Sequence, residues 1–243
     1  MKRITIFIVS IIFSLCTFYT VQAQESFTQR LREKGNAIWE EAYDHPFVQK
    51  IGKGTLEKDK FQYYLLQDYL YLLQYAKVYA FAVIKAQDEA TMAYFTSMQN
   101  SILADEMNMH RSYMKEWGIT QEQIEEVEIA PYNRSYTSFL LSTAAMGDVL
   151  DILVATLPCT WTYNDYAVRL KKQYGRLRVS NPYQKWIDNY AQDEYVLFCK
   201  QYADMIDKLA AGKTEAELKA LEDIFIAGMQ YELLFWTSSY NGK

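Results

Sequence analysis

Apolar positions recur along this chain at three- and four-residue spacing, the period of a helix with one buried face rather than of a half-buried strand. A first amphipathic segment covers 26–44 and is closed by His45-Pro46. Gly52 to Gly54 then break the chain, and Thr55 is placed to cap a long helix that runs to about Ala86. A third helix is predicted from about Asp88 to Trp117, with Gly118 just past its last turn. Thr120 with Gln123 and Thr214 with Glu217 both match the capping-box spacing, and predict the starts of a short helix and of the final helix. Between them, helices are expected at 134–146, 148–174, 182–190 and 192–211. Four prolines and nine glycines in 243 residues leave little turn chemistry for a β fold. With no internal repeat, low-complexity tract or linker, the pattern predicts one all-α bundle.

The N-terminus is set apart from this pattern. Lys2-Arg3, an apolar run from Ile4 to Tyr19, and Val21-Gln22-Ala23 have the basic, apolar and small-residue regions of an export signal. Residues 1–23 are therefore expected to be removed after Ala23, leaving a mature domain of 24–243 that is periplasmic or secreted. The run is too short and mixed for a membrane anchor, and no second one follows it. Leu15 ahead of Cys16 does not provide the small residue that lipid attachment at that cysteine requires. The formal net charge is −5, more acidic still without Lys2 and Arg3, and no basic stripe is present, which argues against nucleic acid as a partner. Cys159 and Cys199 remain after signal removal, too few for a disulfide framework.

Three separated segments carry candidate chemistry. Leu157-Pro158-Cys159-Thr160-Trp161-Thr162-Tyr163 puts a cysteine directly after a helix-breaking proline, among aromatic residues. Asp68 and Glu232 lie in apolar, tyrosine- and tryptophan-rich runs, where a carboxylate is costly without a purpose. Helical spacing puts Asp68 with Tyr64, Tyr71 and Tyr75, pairs Cys159 with Tyr163, and aligns Tyr183, Trp186 and Tyr190. Such a lining suits a flat heteroaromatic small molecule stacked on rings and read by carboxylates and hydroxyls. Each feature also has an ordinary reading: a cysteine in an apolar helix is usually a small core residue, and tyrosine stripes are usually core. A buried acid commonly pairs with a base, for which Lys77 or Lys185 is in reach of the argument. Glu106 and His110, four apart, hint at a metal site, but the chain has only one other histidine, His45, and a hydrogen-bonding role for His110 is preferred.

Taken together, His45-Pro46-Phe47-Val48, the Gly-x-Gly-Thr-Leu run from Gly52, Tyr64 through Asp68 to Tyr71, Tyr136-Thr137-Ser138, Leu157-Pro158-Cys159, Tyr183 to Ile187 and Glu232 to Trp236 resemble the TenA (thiaminase II) family, in the same order and over essentially all of 24–243. The resemblance implies a heme-oxygenase-like helical bundle that binds no heme, needs no metal or other cofactor, and forms a homotetramer. It also implies hydrolysis of 4-amino-5-aminomethyl-2-methylpyrimidine to the hydroxymethyl compound and ammonia, with cleavage of thiamin as a related activity. Cys159 falls on the family's nucleophile, Asp68 on its substrate-gripping aspartate and Glu232 on its catalytic glutamate; Tyr71, Tyr136, Tyr163 and Tyr190 fall on the tyrosines around the pyrimidine. The signal peptide is the departure, since the better-known members are cytoplasmic. Two rival readings stand beside the enzyme: an exported, non-catalytic binder of thiamin or its pyrimidine, and a metal-dependent oxidase, which scarce histidine disfavours.

Overall fold

The computed structural model describes residues 26–175 and 180–242; the expected signal peptide lies outside the described residues. Every regular element among them is helical: α1 Phe27–Lys34, α2 Asn36–Tyr43, α3 Pro46–Lys53, α4 Lys58–Lys85, α5 Glu89–Ser101, α6 Met107–Glu116, α7 Gln121–Glu126, α8 Pro131–Met146, α9 Val149–Tyr174, α10 Gln184–Tyr190, α11 Asp193–Ala210 and α12 Glu215–Asn241. A π-helical turn, Ile102–Glu106, joins α5 to α6.

Local chemistry explains most boundaries. Both predicted capping boxes are formed, and Asp148 with Asp151 forms a third at the start of α9. Gly118 takes the left-handed conformation after α6, as its position predicts. Three boundaries differ from the sequence pattern. The first segment is two helices, because Gly35 lets the chain turn tightly against α12, where an added Cβ would lie 2.7 Å from Phe225 Cε1. Thr55 does not cap α4: its amide bonds Lys50 O at 2.9 Å and closes α3 around left-handed Gly54, so α4 begins after Glu57. Pro131 takes the first position of α8, three residues earlier than expected, where its missing N–H costs nothing.

The long helices α4, α9 and α12 form the centre, with α8, α10 and α11 packed on α9 and α5 and α6 on α4. The core is unusually aromatic. Trp39, Trp186, Trp236, Tyr64 and Phe225 are fully buried, and Tyr64 stacks on Trp236 with ring centres 5.8 Å apart. Among the described residues no helix is long and apolar enough to cross a membrane.

Pro158 lies inside α9 and faces α12 at Gly228. A Cβ there would sit 2.8 Å from Pro158 Cγ, a ring atom that cannot swing aside. Gly228→Ala gains up to about 1 kcal/mol of helix propensity, whereas overpacking against a rigid neighbour costs about 1–3 kcal/mol. The variant is expected to melt at lower temperature. Its turnover should fall as well, because the contact spaces Cys159, next to Pro158, from Glu232, one turn beyond Gly228; a thermal melt with kcat/KM measures both.

Candidate active site

A cavity of about 380 Å³ opens between α4, the end of α5 with its π turn, α9, α10 and the start of α11. Its wall includes Asp68 and Tyr71 from α4, Glu106 from the π turn, Cys159 and Tyr163 from α9, and Tyr190 from α10. Five of the seven residues singled out in the sequence thus meet on one surface. Glu232 and Tyr136 form a buried pair just outside this lining, the Tyr136 hydroxyl donating to Glu232 Oε1 at 2.6 Å. The Tyr136 ring packs on Tyr71 at 5.2 Å, which sets the pair directly behind the cavity wall.

Aromatic packing holds the wall in place. Tyr163 meets the edge of Tyr190 at 5.0 Å and leans on Trp236 at 5.1 Å. Trp186 Nε1 donates to the Tyr64 hydroxyl at 3.2 Å, so this ring supports the site from behind rather than lining it. Tyr183 stands outside the cavity: it stacks on Trp117 and its hydroxyl donates to Leu56 O, so the aligned stripe it heads reaches the cavity only at Tyr190.

Cys159 is a free thiol with part of its surface open to the cavity. Burial pushes it well above the usual thiol range, and the charge of Glu232 adds to this; the Tyr71 hydroxyl acts the other way, favouring the thiolate. That hydroxyl is buried and makes no settled hydrogen bond with any protein group, so its proton is available to the sulfur. Cys199 is also free; its thiol donates to Thr160 O at 3.5 Å, and burial raises it to about 12. Glu232 is raised to about 8, chiefly by burial, against the opposing hydrogen bond from Tyr136 and with a further push from the charge of Asp68. It is therefore mostly a neutral acid at pH 7. Glu106 is raised to about 7 by burial and accepts from the Tyr190 hydroxyl at 3.3 Å.

The partner of Asp68 is neither Lys77 nor Lys185, which bond Gln74 and Glu116 on the surface. It is His110, whose Nε2 lies 2.6 Å from Asp68 Oδ2 in a buried pair. The preferred reading of His110 as a hydrogen-bonding residue is thus what the structure shows. On the sequence Glu106 offers itself only as a metal ligand on a regular helix; the π turn instead brings it to the cavity, and no spacing rule on the sequence reveals such a turn. Among the described residues, no group of three or more His, Cys, Asp and Glu side chains is disposed to hold a metal ion.

A helical bundle with one aromatic cavity, a cavity-facing thiol and two buried carboxylates defines a class: a small-molecule site of the heme-oxygenase-like fold. Residues 22–242 match the TENA/THI-4/PQQC family, and the chain belongs to it. It is similar to a protein from Halalkalibacterium halodurans named aminopyrimidine aminohydrolase, 42% identical over 219 residues that cover 90% of this chain and 97% of the relative. Among solved structures it resembles a TenA homologue from P. horikoshii, with a TM-score of 0.83 and 29% identity over 90% of this chain and 100% of the other. The bundle also matches heme oxygenase-1 from the cyanobacterium Synechocystis, at a TM-score of 0.58 and 14% identity over 88% of this chain and 91% of that one, a likeness of fold alone. The residues here do not fit a heme. His45 is spent capping α3 and both ring nitrogens of His110 are engaged, which leaves neither histidine free as an axial ligand.

Proposed function

We propose that this protein is a hydrolase of carbon–nitrogen bonds that acts on thiamin-derived aminopyrimidines. It converts 4-amino-5-aminomethyl-2-methylpyrimidine and water to the 5-hydroxymethyl compound and ammonia. The observation that carries the reading is the single wall on which Asp68, Tyr71, Cys159, Tyr163 and Tyr190 meet, in a chain whose relatives include one named for this activity.

The bond to be broken joins an exocyclic CH₂ to nitrogen, and water does not displace that amine directly. Addition of the Cys159 thiolate to the ring ends its aromaticity, and the ring electrons then expel the amine, leaving an exocyclic methylene. Water adds to this methylene and the thiolate departs, restoring the ring. Tyr71 favours the thiolate form of the nucleophile. Glu232, largely protonated near neutral pH, supplies the proton the leaving amine takes and, as the carboxylate, accepts one from the attacking water. Asp68 grips the amino edge of the ring, and Tyr163 and Tyr190 hold its faces and edges. Tyr136 holds Glu232 in place through its hydroxyl. Thiamin has the same pyrimidine and differs in the leaving group, so its cleavage to pyrimidine and thiazole is a second activity of the same site.

The export signal in residues 1–23 gives a mature chain starting at Gln24 that works outside the cytoplasm, a reading supported by the family match beginning only at residue 22. Homotetramer assembly is the accompanying proposal, and the strongly exposed Ile84 and Met146 provide apolar surface for it. The first test is ammonia release from the aminomethyl pyrimidine by the mature protein under reducing conditions, with thiamin assayed beside it. Turnover is expected on the aminopyrimidine. Tight pyrimidine binding without turnover on either compound would instead identify the exported binder.

A further inference from the structure

His110 sits where the π turn passes into α6, 2% exposed, with both ring nitrogens in contact. Its Nδ1 lies 3.1 Å from the backbone carbonyl of Glu106. A carbonyl oxygen only accepts, so Nδ1 carries a hydrogen and the tautomer is fixed. The one proton left to place lies between Nε2 and Asp68 Oδ2, 2.6 Å apart. Glu106 from the π turn, Cys159 and Tyr163 from α9, Tyr190 from α10 and Glu232 from α12 surround the pair, and none of these is a cation. With no cation among these neighbours, the imidazole is the group placed to balance a charge on Asp68. Burial alone would lower the His110 pKa; the hydrogen bond and charge of Asp68, with the charge and carbonyl of Glu106, outweigh it and hold the imidazole above its usual value.

We infer that His110 is a specificity-determining positioning residue: it fixes Asp68 as an ionised acceptor at the cavity wall, so that the site takes a ring whose edge donates through an amino group and rejects its oxo counterpart. The inference rests on the pyrimidine reading above and adds what selects among pyrimidines. With Oδ2 committed to His110, the remaining lone pairs of Asp68 are all acceptors. A 4-amino ring offers them an N–H. A 4-oxo ring presents a carbonyl oxygen at the same place, and two acceptors face each other in a buried site. Without His110, Asp68 Oδ2 loses its one buried donor and its counter-charge, and the carboxyl is no longer held with its acceptors toward the amino edge, so the discrimination against the oxo ring weakens.

Calorimetric binding of 4-amino-5-hydroxymethyl-2-methylpyrimidine and of its 4-oxo analogue, to the wild type, His110→Gln and His110→Leu, tests this. The wild type is expected to prefer the amino ring by about 100-fold or more, and the Leu variant to lose at least about tenfold of that preference. Gln, which keeps an N–H donor but no charge, should fall between. The chain has only two histidines, so imidazole NMR titration of the wild type gives a second readout independent of any variant's folding. One imidazole, His110, should titrate above the ordinary range and drop below it in Asp68→Asn, while half-buried His45 titrates near 4 in both. Preference unchanged within about threefold in the folded variants, or no imidazole titrating above the ordinary range, overturns the inference. A wild type that binds neither ring overturns the pyrimidine reading and the selectivity with it, while the titration decides separately whether the ion pair exists.

Discussion

Cys159→Ser is expected to fold, to bind the aminopyrimidine about as well as the wild type, and to lose turnover by on the order of 10³-fold or more. The substitution replaces one atom on a wall held by packed rings, so little of the cavity's shape depends on it. The proposed chemistry depends on it entirely. An alcohol ionises far less readily than a thiol, and the burial that already pushes Cys159 up penalises an alkoxide more. Steady-state ammonia release and calorimetric binding, run on one preparation, separate the two effects. Turnover preserved in the serine variant would exclude the thiol adduct, and turnover lost together with binding would point to a damaged cavity. Because Cys159 and Cys199 are both free, the wild-type rate should not need a reductant beyond what keeps the cavity-facing thiol from oxidising.

Glu232→Gln is expected to trade activity for stability. Its carboxyl rises from an ordinary 4.5 to about 8 in the folded protein, so between those values the native state holds a proton that the unfolded chain has released. Stability then falls as pH rises through this window, by up to about 1.4 kcal/mol per unit from this one group. Glutamine keeps the carbonyl oxygen that accepts from Tyr136 and does not titrate. The variant should match the wild type near pH 4–5 and exceed it above pH 8 by up to about 5 kcal/mol, read from chemical denaturation at several pH values. Turnover should drop about 10²- to 10⁴-fold. The wild-type kcat should also decline with an alkaline limb near 8, as the proton needed by the leaving amine is lost. A variant as alkali-sensitive as the wild type would show that Glu232 is not the buried acid of this site.

Much of the site was legible in the chain because each residue broke a local expectation. Asp68 and Glu232 are carboxylates in apolar helices, and Cys159 follows a proline inside one; each alone has an ordinary reading, and it is their combination that marks a candidate site. Tyr71, Tyr163 and Tyr190 were found by helical spacing from these residues or by family resemblance. The same spacing overreached at Tyr183, since a position shared on a helix face says nothing about which neighbour covers that face. The sequence offered only Lys77 or Lys185 as a base for a buried acid, because it gives no measure of distance between α4 and α6, where the partner of Asp68 lies.

The sequence by itself determined the helical class, the capping boxes at Thr120 and Thr214, the stop at Gly118 and the candidates for the reactive groups, because periodicity, caps and residue chemistry are local properties. The tertiary structure decided the rest. It put Cys159 and Asp68 on the cavity wall and Glu232 behind it, raised the Glu232 acid by burying it, and opened a π turn that gives Glu106 to the cavity and its carbonyl to His110. Those outcomes depend on which helix faces meet and how much water they exclude, and both are set by packing between segments more than forty residues apart.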